Sequence, residues 1–540
     1  MAVVQHRLTY GRGNSRLLPP DEFRRRQAMR SRLSAAQLMV VDIRQALERG
    51  GQSTSRRGRQ ERDRSANRDS RNALRERSAV EGPLLRRKRS ASRCSGRSLW
   101  RGERAKMAAM AGFFVDISPL RRSRDFRWLF AGHAVSRVGT QLTLVAAPIQ
   151  VFDLTGSTLA VGLLGLVQFP ALFVGSLLGG LLADSRDRRS ILIIAQLVFA
   201  STSVGLAINA TVASPSIILV FVLTAVHAFM AGIDSPARSA AIPRLVEAKI
   251  LPHAFALNVL VFQTAGAVGP AVAGILIARV SLAAAYWVDV ATFGVALGAV
   301  TLMSPIPPPG DGTSPGLRSI AEGFRFIRSR QELQGVFLID INAMIFGMPR
   351  ALFPEMGLKV FGGDAITVGY LFAAPGFGAM LASLTSGWVG RIAKPGRATI
   401  AAVFLWGVGV MGFGFTSDIR LALALLALAG AGDAISAVFR QTILQLSTPD
   451  RLRGRLSAAQ IAVVAGGPRL GDAEAGVVAA GFGPRVAAWT GGLAAALGAL
   501  AVGRYLPRFR EWDHSQADEG NLDANSPTSS DGATTPTSTE

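Results

Sequence analysis

Gly179-Gly180-Leu181-Leu182-Ala183-Asp184-Ser185-Arg186-Asp187-Arg188-Arg189 is the stretch whose reading decides the fold. An apolar run, 159–182, leads into it, and another, 191–208, leaves it. About 20 consecutive apolar residues suffice to cross a bilayer. Each run is therefore read as a membrane-spanning helix, and the charged stretch as a tight hairpin between them. Glycines let helices approach closely in lipid. Arginine-rich loops stay on the cytoplasmic side, so the hairpin is expected inside the cell.

Composition extends that reading to the whole chain. The 540 residues are 49% hydrophobic with a mean hydropathy of +0.31, too apolar for a soluble protein of this length. The net charge of +23 is concentrated: residues 1–106 hold 28 Lys and Arg against 10 Asp and Glu, which accounts for +18 of it. This Arg- and Ser-rich tail lacks the apolar residues needed to bury a core. A short helix over 35–47 is compatible with its sequence. Its clusters Arg24-Arg25-Arg26 and Arg86-Arg87-Lys88-Arg89 suit nucleic acid or anionic lipid. The blander readings are a solvated extension without function, or translation starting at Met107 or Met110. Cys94 is the only cysteine, which excludes an intramolecular disulfide and a thiolate metal cluster. No secretory signal pattern opens the chain. The Arg-, Ala- and Gly-rich usage is of a bacterial kind.

Beyond the tail, apolar runs and charged loops alternate. Six spans are expected at about 126–152, 159–183, 191–208, 217–243, 254–278 and 282–303. Six more follow at about 333–360, 367–389, 398–415, 421–446, 457–480 and 485–505. Basic loops fall on every second connection, with neutral or weakly charged ones between, as cytoplasmic and external sides in turn require. A Pro/Gly-rich linker at 305–315 and a basic amphipathic segment at 320–330 divide the halves. Ser386-Gly387-Trp388-Val389-Gly390-Arg391 repeats the hairpin's place in the second half. The expected layout is a basic tail (1–118), a six-helix bundle (119–304), a central cytoplasmic loop (305–332), a second bundle (333–510) and a Ser/Thr/Pro-rich tail (511–540).

With Gly180, Ala183, Asp184, Arg188 and Arg189 in register, the hairpin resembles the loop between helices two and three of the major facilitator superfamily. Further residues carry the likeness across 120–510: Phe126-Arg127, Ser235-Pro236-Ala237, Ile242-Pro243-Arg244-Leu245-Val246, Ala321-Glu322-Gly323-Phe324, Lys394-Pro395-Gly396 and Gln445-Leu446-Ser447-Thr448-Pro449. Within the superfamily the pattern is most similar to the enterobactin (siderophore) exporter and drug-efflux subgroup. Ser185 and Asp187 depart from it, standing where Arg and Gly are usual, and His133 stands where that subgroup has Arg. The resemblance implies an all-α membrane protein of twelve helices in two six-helix bundles.

The resemblance also implies roles. Gly180, Asp184, Arg188 and Arg189 would form a conformational latch, or else only set topology. Gly266, Gly269, Pro270 and Gly274 resemble the helix-five motif of antiporter-type members, a pivot or a plain small-residue packing face. Ionisable residues inside apolar spans cost about 3 kcal/mol or more if unpaired, so they point to the transport path or to structural pairs. These are His133, Arg137, His227, Asp234, Arg238, Asp289, Asp340, Arg350, Asp433, Arg440, Arg469, Asp472 and Glu474. Asp234 and Arg238 are four apart and share a helix face. Because helices one, four, seven and ten line the cavity in the superfamily, Arg137, Asp234, Asp340 and Asp433 are the expected cavity and proton-coupling residues. The charges from Arg469 to Glu474 are expected to mark a break in the eleventh span.

Five scattered His give no metal-ligand spacing, no Gly-Lys-Ser/Thr loop offers an ATP site, and no Gly-x-Ser-x-Gly nucleophile is present. No cofactor, metal or catalytic residue is therefore expected. The expected function is proton-driven export of a siderophore or amphipathic drug-like molecule across a bacterial inner membrane. The chain would act as a monomer with both termini cytoplasmic. Its partners would be a small-molecule substrate, protons and the bilayer, and not nucleic acid. The alternatives are a macrolide or multidrug pump, a membrane-anchored protein that binds nucleic acid or lipid through its tail, and an intramembrane enzyme.

Overall fold

The computed structural model describes residues 116–308 and 317–513. The expected helix at 35–47 and the basic clusters of the tail lie outside the described residues. The chain separates into a unit of residues 1–110 and a unit of residues 111–540, and every described helix belongs to the second.

All regular structure among the described residues is helical. The first half holds α1 (Arg124–Thr155), α2 (Thr158–Ser185), α3 (Arg188–Thr211), α4 (Ile217–Leu245), α5 (Leu251–Arg279) and α6 (Leu282–Thr301). The second holds α7 (Gln331–Phe346), α8 (Ala365–Leu384), α9 (Pro395–Phe415), α10 (Ile419–Leu446), α11 (Asp450–Phe482) and α12 (Pro484–Tyr505). Ten described spans are long and apolar enough to cross a membrane, the seventh counted from Gln331 through the turns after α7 to Val360. α1 and α11 have the length but carry more internal charge. Together they complete the two six-helix bundles.

Local chemistry sets the ends. Hydroxyl and carboxylate side chains cap the starts: Ser123 accepts from the Phe126 amide at 3.1 Å, Ser281 from Ala284 at 3.0 Å, and Asp418 from Arg420 at 2.9 Å. Gly156, at φ 62°, closes α1 in the left-handed region that favours glycine. Many large apolar side chains point outward, among them Ile218 at 72% exposure and Leu181 at 52%. Such a surface suits lipid.

Within the first half α2 packs on α4, α1 on α6 and α5, and α3 on α4 and α6. In the second, α9 packs on α10 and α12, α8 on α10, and α7 on α11 and α12. The halves meet along two seams, α5 with α8 and α2 with α11. Glycines make both seams close. A Cβ on Gly274 would lie 2.9 Å from the Gly369 Cα, and one on Gly162 would lie 3.0 Å from the Gly476 Cα.

Three local expectations are corrected. The seventh span is not one continuous helix: after Phe346 the chain passes through Gly347, Met348 and Pro349 into a 3-10 turn (Arg350–Leu352) and short turns ending at Val360. The Trp406 indole donates to the freed Gly347 carbonyl at 2.8 Å. The eighth span stops at Leu384 rather than near 389, and Ser386–Arg391 is a 3-10 helix. The eleventh is unbroken through Arg469, Asp472 and Glu474. Arg469 donates to the Ala465 carbonyl at 2.6 Å, and Asp472 accepts from the Ala351 amide at 3.1 Å, so both find partners in place.

Candidate functional site

The first half encloses a polar cavity of about 230 Å³. α1 contributes His133 and Arg137, α3 Gln196, and α4 His227, Asp234 and Arg238. Phe199, Phe262 and Phe293 supply aromatic wall. The i, i+4 spacing places Asp234 and Arg238 together: the Arg238 Nε and Nη2 donate to the two carboxylate oxygens at 3.0 and 2.8 Å. Gln196 adds a longer bond to Asp234 at 3.4 Å. Arg137 has no carboxylate within ion-pair distance among the described residues; its guanidinium stacks 4.6 Å above the Phe262 ring. Cation–π contact of this kind keeps a cation attracted yet leaves its in-plane donors free. On the opposite wall Phe199, His227 and Phe293 form a ring cluster, with Phe199 and Phe293 stacked at 5.1 Å.

The second half holds a charge trio instead, with Arg440 and Asp340 buried and Asp433 partly exposed. Arg440, 1% exposed, lies 3.1 Å from Asp340 on α7 and 3.5 Å from Asp433 on its own helix. Its Nη1 also donates to the Ser436 hydroxyl at 2.8 Å. Neither Asp340 oxygen has a well-aligned hydrogen bond among the described residues; the Arg440 charge holds it, with the buried Gln460 side chain beside it. Of the four residues expected in one cavity, Arg137 and Asp234 line it. Asp340 and Asp433 belong to the trio on α7 and α10, outside this first-half pocket.

At the end of the bundle remote from Ser118 and Trp512, side chains cross between halves. The Thr158 hydroxyl at the start of α2 donates to Glu355, and Lys359 lies 3.5 Å from Glu355 and 4.8 Å over the Phe152 ring. Arg350 pairs with Asp472 at 3.5 Å. No sequence signal marked Thr158, Glu355 or Lys359, whose partners across the halves are distant in the chain.

The residues expected as a latch are spread over several environments. Gly180 faces open space, whereas Gly179 makes the close helix contact, its Cβ position lying 2.7 Å from the Ile233 Cα. Asp184 is half-buried and makes no ion pair among the described residues. Arg188 is buried, with its amide donating to the Ile306 carbonyl at 3.1 Å. Arg189 donates to the carbonyls of Val300 and Thr301 at 3.3 and 2.7 Å. The departure at Asp187 has its own work in the hairpin. It caps α3 through Ser190 at 3.2 Å and accepts from the Ile306 amide at 2.6 Å. Burial pulls its carboxyl up, but the bonds from Ile306, Ser190 and Arg189 outweigh that and hold it below its ordinary range.

The second-half loop is pinned similarly. Glu511 pairs with Lys394 and Arg397, each at 2.6 Å. Hydrogen bonds from Arg397, then Lys394, bring its carboxyl down to about 2. The helix-five motif borders both its neighbours. The Gly269 Cβ position touches Gln141 of α1 at 2.5 Å, while Pro270, Gly274 and Gly266 meet Gly369 and Gly376 of α8. Among the described residues no group of three or more His, Cys, Asp or Glu is placed to hold a metal.

A family model described as "Transmembrane secretion effector" matches residues 115–528. The enterobactin exporter EntS of Shigella boydii serotype 18 is 29% identical over 394 residues, covering 73% of this chain and 94% of that protein. The EntS of Escherichia coli O139:H28 matches to the same extent. Among solved structures, a POT family transporter in complex with 5-aminolevulinic acid superposes with a TM-score of 0.57 at 11% identity, covering 72% of this chain and 97% of that one. A D-xylose-proton symporter gives 0.55 at 16% identity, covering 72% and 99%. These structures share the fold. The chain belongs to the transmembrane secretion effector family and is a multi-pass secondary transporter of the major facilitator superfamily, not an enzyme.

Proposed function

We propose that this protein exports a siderophore or an amphipathic drug-like molecule by alternating access, driven by protons moving the other way. The observation that carries the reading is the first-half cavity. Arg137 offers a cation on an aromatic face, and the Phe199–Phe293 wall offers apolar surface. An amphipathic solute binds by burial plus a few polar contacts. The Asp340–Arg440–Asp433 trio supplies the coupling. One guanidinium serves two carboxylates, so the trio carries one net negative charge inside the membrane, and a single proton neutralises it. Gly274 and Gly369 form the seam about which the halves rock, and the Asp184 hairpin engages the opposite half in the alternate conformation. The basic loops orient the chain with both termini in the cytoplasm of a bacterial inner membrane, where it works as a monomer.

The test uses everted vesicles energised by a proton gradient, with uptake of a catecholate siderophore and of a fluorescent amphipathic cation followed side by side. Uptake of either that collapses with a protonophore, and in Asp340→Asn and Asp433→Asn, supports the reading. Gradient-independent movement, or full coupling in both variants, refutes it.

A further inference from the structure

Four aspartates within the spans have an arginine: Asp234 has Arg238, Asp340 and Asp433 share Arg440, and Asp472 has Arg350. Asp289 on α6 is different. It is 0% exposed, and no Lys, Arg or His lies within ion-pair distance of it among the described residues. Its neighbours are hydroxyls from three helices. Oδ2 accepts from Thr143 of α1 at 2.6 Å and from Ser203 of α3 at 2.8 Å. Oδ1 faces the Thr292 hydroxyl at 3.4 Å, and that hydroxyl donates its own proton to the Asp289 carbonyl at 2.8 Å. Thr292 has one hydrogen for these two acceptors and the carbonyl is the nearer, which leaves its lone pairs open to a hydrogen from Oδ1.

This arrangement fits a neutral acid on every atom. One oxygen takes two donated hydrogens, and the other needs a hydrogen to give. A carboxylate would leave a charge buried without a cation, which proteins avoid by binding a proton. The surroundings add no counter-charge. α1 presents Gly139 and Thr143 here; its Arg137 lies on the cavity side over Phe262. α3 presents Ser203, and its Arg188 and Arg189 stand at its far end. α5 brings His253 and Arg279 only near its termini. On α6 itself the titratable neighbour, Tyr286, gives its hydroxyl to Gln150 at 2.8 Å. The Phe199, Phe293 and His227 rings stand one turn along, between Asp289 and the cavity. Gly139 is required for the closeness, since a Cβ there would overlap both Asp289 Oδ1 and Thr292 Oγ1.

We propose that Asp289 is a proton-binding site that ties α1, α3 and α6 together beneath the cavity, distinct from the trio on α7 and α10. It depends on no role given to Asp340 or Asp433. Asparagine is the test residue, because its amide oxygen accepts from Thr143 and Ser203 while its nitrogen donates to Thr292, as the bound proton does. The full-length protein in lipid nanodiscs is compared as wild type, Asp289→Asn and Asp289→Ala. Expected are a protonated-carboxyl band in the infrared spectrum at neutral pH that Asp289→Asn removes, unchanged thermal stability in Asp289→Asn, and a clear loss in Asp289→Ala. Asp289→Asn failing to fold, or losing as much as Asp289→Ala, overturns the proposal, as does an unchanged band. So does stabilisation of the wild type by sodium over choline at fixed pH without that band, which would mean a metal cation in the proton's place.

Discussion

Removing Arg440 tests the second-half trio most directly. Its guanidinium is 1% exposed and lies between Asp340 and Asp433, with a third bond to Ser436. Arg440→Gln keeps some hydrogen-bonding capacity but takes away the only cation paired with either carboxylate among the described residues. Breaking a buried pair from one side costs about 3–5 kcal/mol, because the surviving charge is left uncompensated. Of the two surviving carboxylates Asp340 is buried and Asp433 is 28% exposed, so the cost falls mainly on Asp340. At 1.4 kcal/mol per tenfold, this is roughly a hundred- to several-thousand-fold loss in the folded-to-unfolded ratio. The double variant Arg440→Gln/Asp340→Asn removes one of the stranded charges. Part of the loss should return, with a coupling of about 0.5–3 kcal/mol in the double-mutant cycle. The assay is reversible unfolding in mixed micelles, followed by tryptophan fluorescence. A cost under about 1 kcal/mol for Arg440→Gln, or strict additivity with Asp340→Asn, would refute the claim that charge holds Asp340 in place.

At the α5–α8 seam, Gly369→Val forces a branched side chain against the Pro270 carbonyl, 2.6 Å from the Cβ position. Overpacking of about 1–3 kcal/mol should shift the balance away from this conformation by about 5- to 150-fold. Distance measurements between labels at positions 158 and 355, made on a Cys94→Ser background, read that shift directly; an unchanged distance distribution counts against the seam as a pivot. Glu511 has a depressed folded value, so its contribution is fully present above the ordinary 4.5 and is lost as pH falls toward about 2. The melting-temperature gap between wild type and Glu511→Gln should therefore be flat at neutral pH and close through that acid window, and a gap independent of pH would contradict the clamp. Asp187→Ala should cost about 1 kcal/mol through the lost α3 cap and loosen the Ile306 amide, which hydrogen exchange at residues 188–191 and 306 would report.

How much of this was written in the sequence depends on how far apart the partners are. Apolar runs and basic loops are local features, and they placed the twelve helices, the seventh and eighth with their ends misjudged. Asp234 and Arg238 were legible for the same reason, since one turn of helix joins them. The Asp340–Arg440 pair spans α7 and α10, and the hydroxyls around Asp289 come from α1 and α3, so no spacing rule reaches them. Composition actively misled at Arg469–Glu474: charges in a span suggest a break, but the Ala465 carbonyl serves Arg469, and Arg350 with the Ala351 amide serves Asp472. A motif likewise concealed Asp187, which looked like a defect in the hairpin because its partner, Ile306, is more than a hundred residues away.

The same device closes both halves, and this bears on which parts can move. In the first half the loop after the second helix is tied to the last turn of the sixth, through Arg189 to Val300 and Thr301, and to the chain after it, through Asp187 to Ile306. In the second half the corresponding loop is tied to the chain after α12, through Lys394 and Arg397 to Glu511. There Phe509 is fully buried and sits where any side chain on Gly335 would have to go. Each loop is thereby fastened within its own bundle. The halves are joined at the seams, where glycine backbones touch, and at the remote end, where a buried apolar cluster brings Val145, Phe152 and Leu164 together with Leu352, Phe353 and Met356 beside the Thr158–Glu355 and Phe152–Lys359 contacts. Opening at that end must part this apolar cluster as well as the polar contacts, and the lost burial is the larger cost. On the proposed alternating-access reading, substitutions inside a bundle should change its stability before they change its direction of opening.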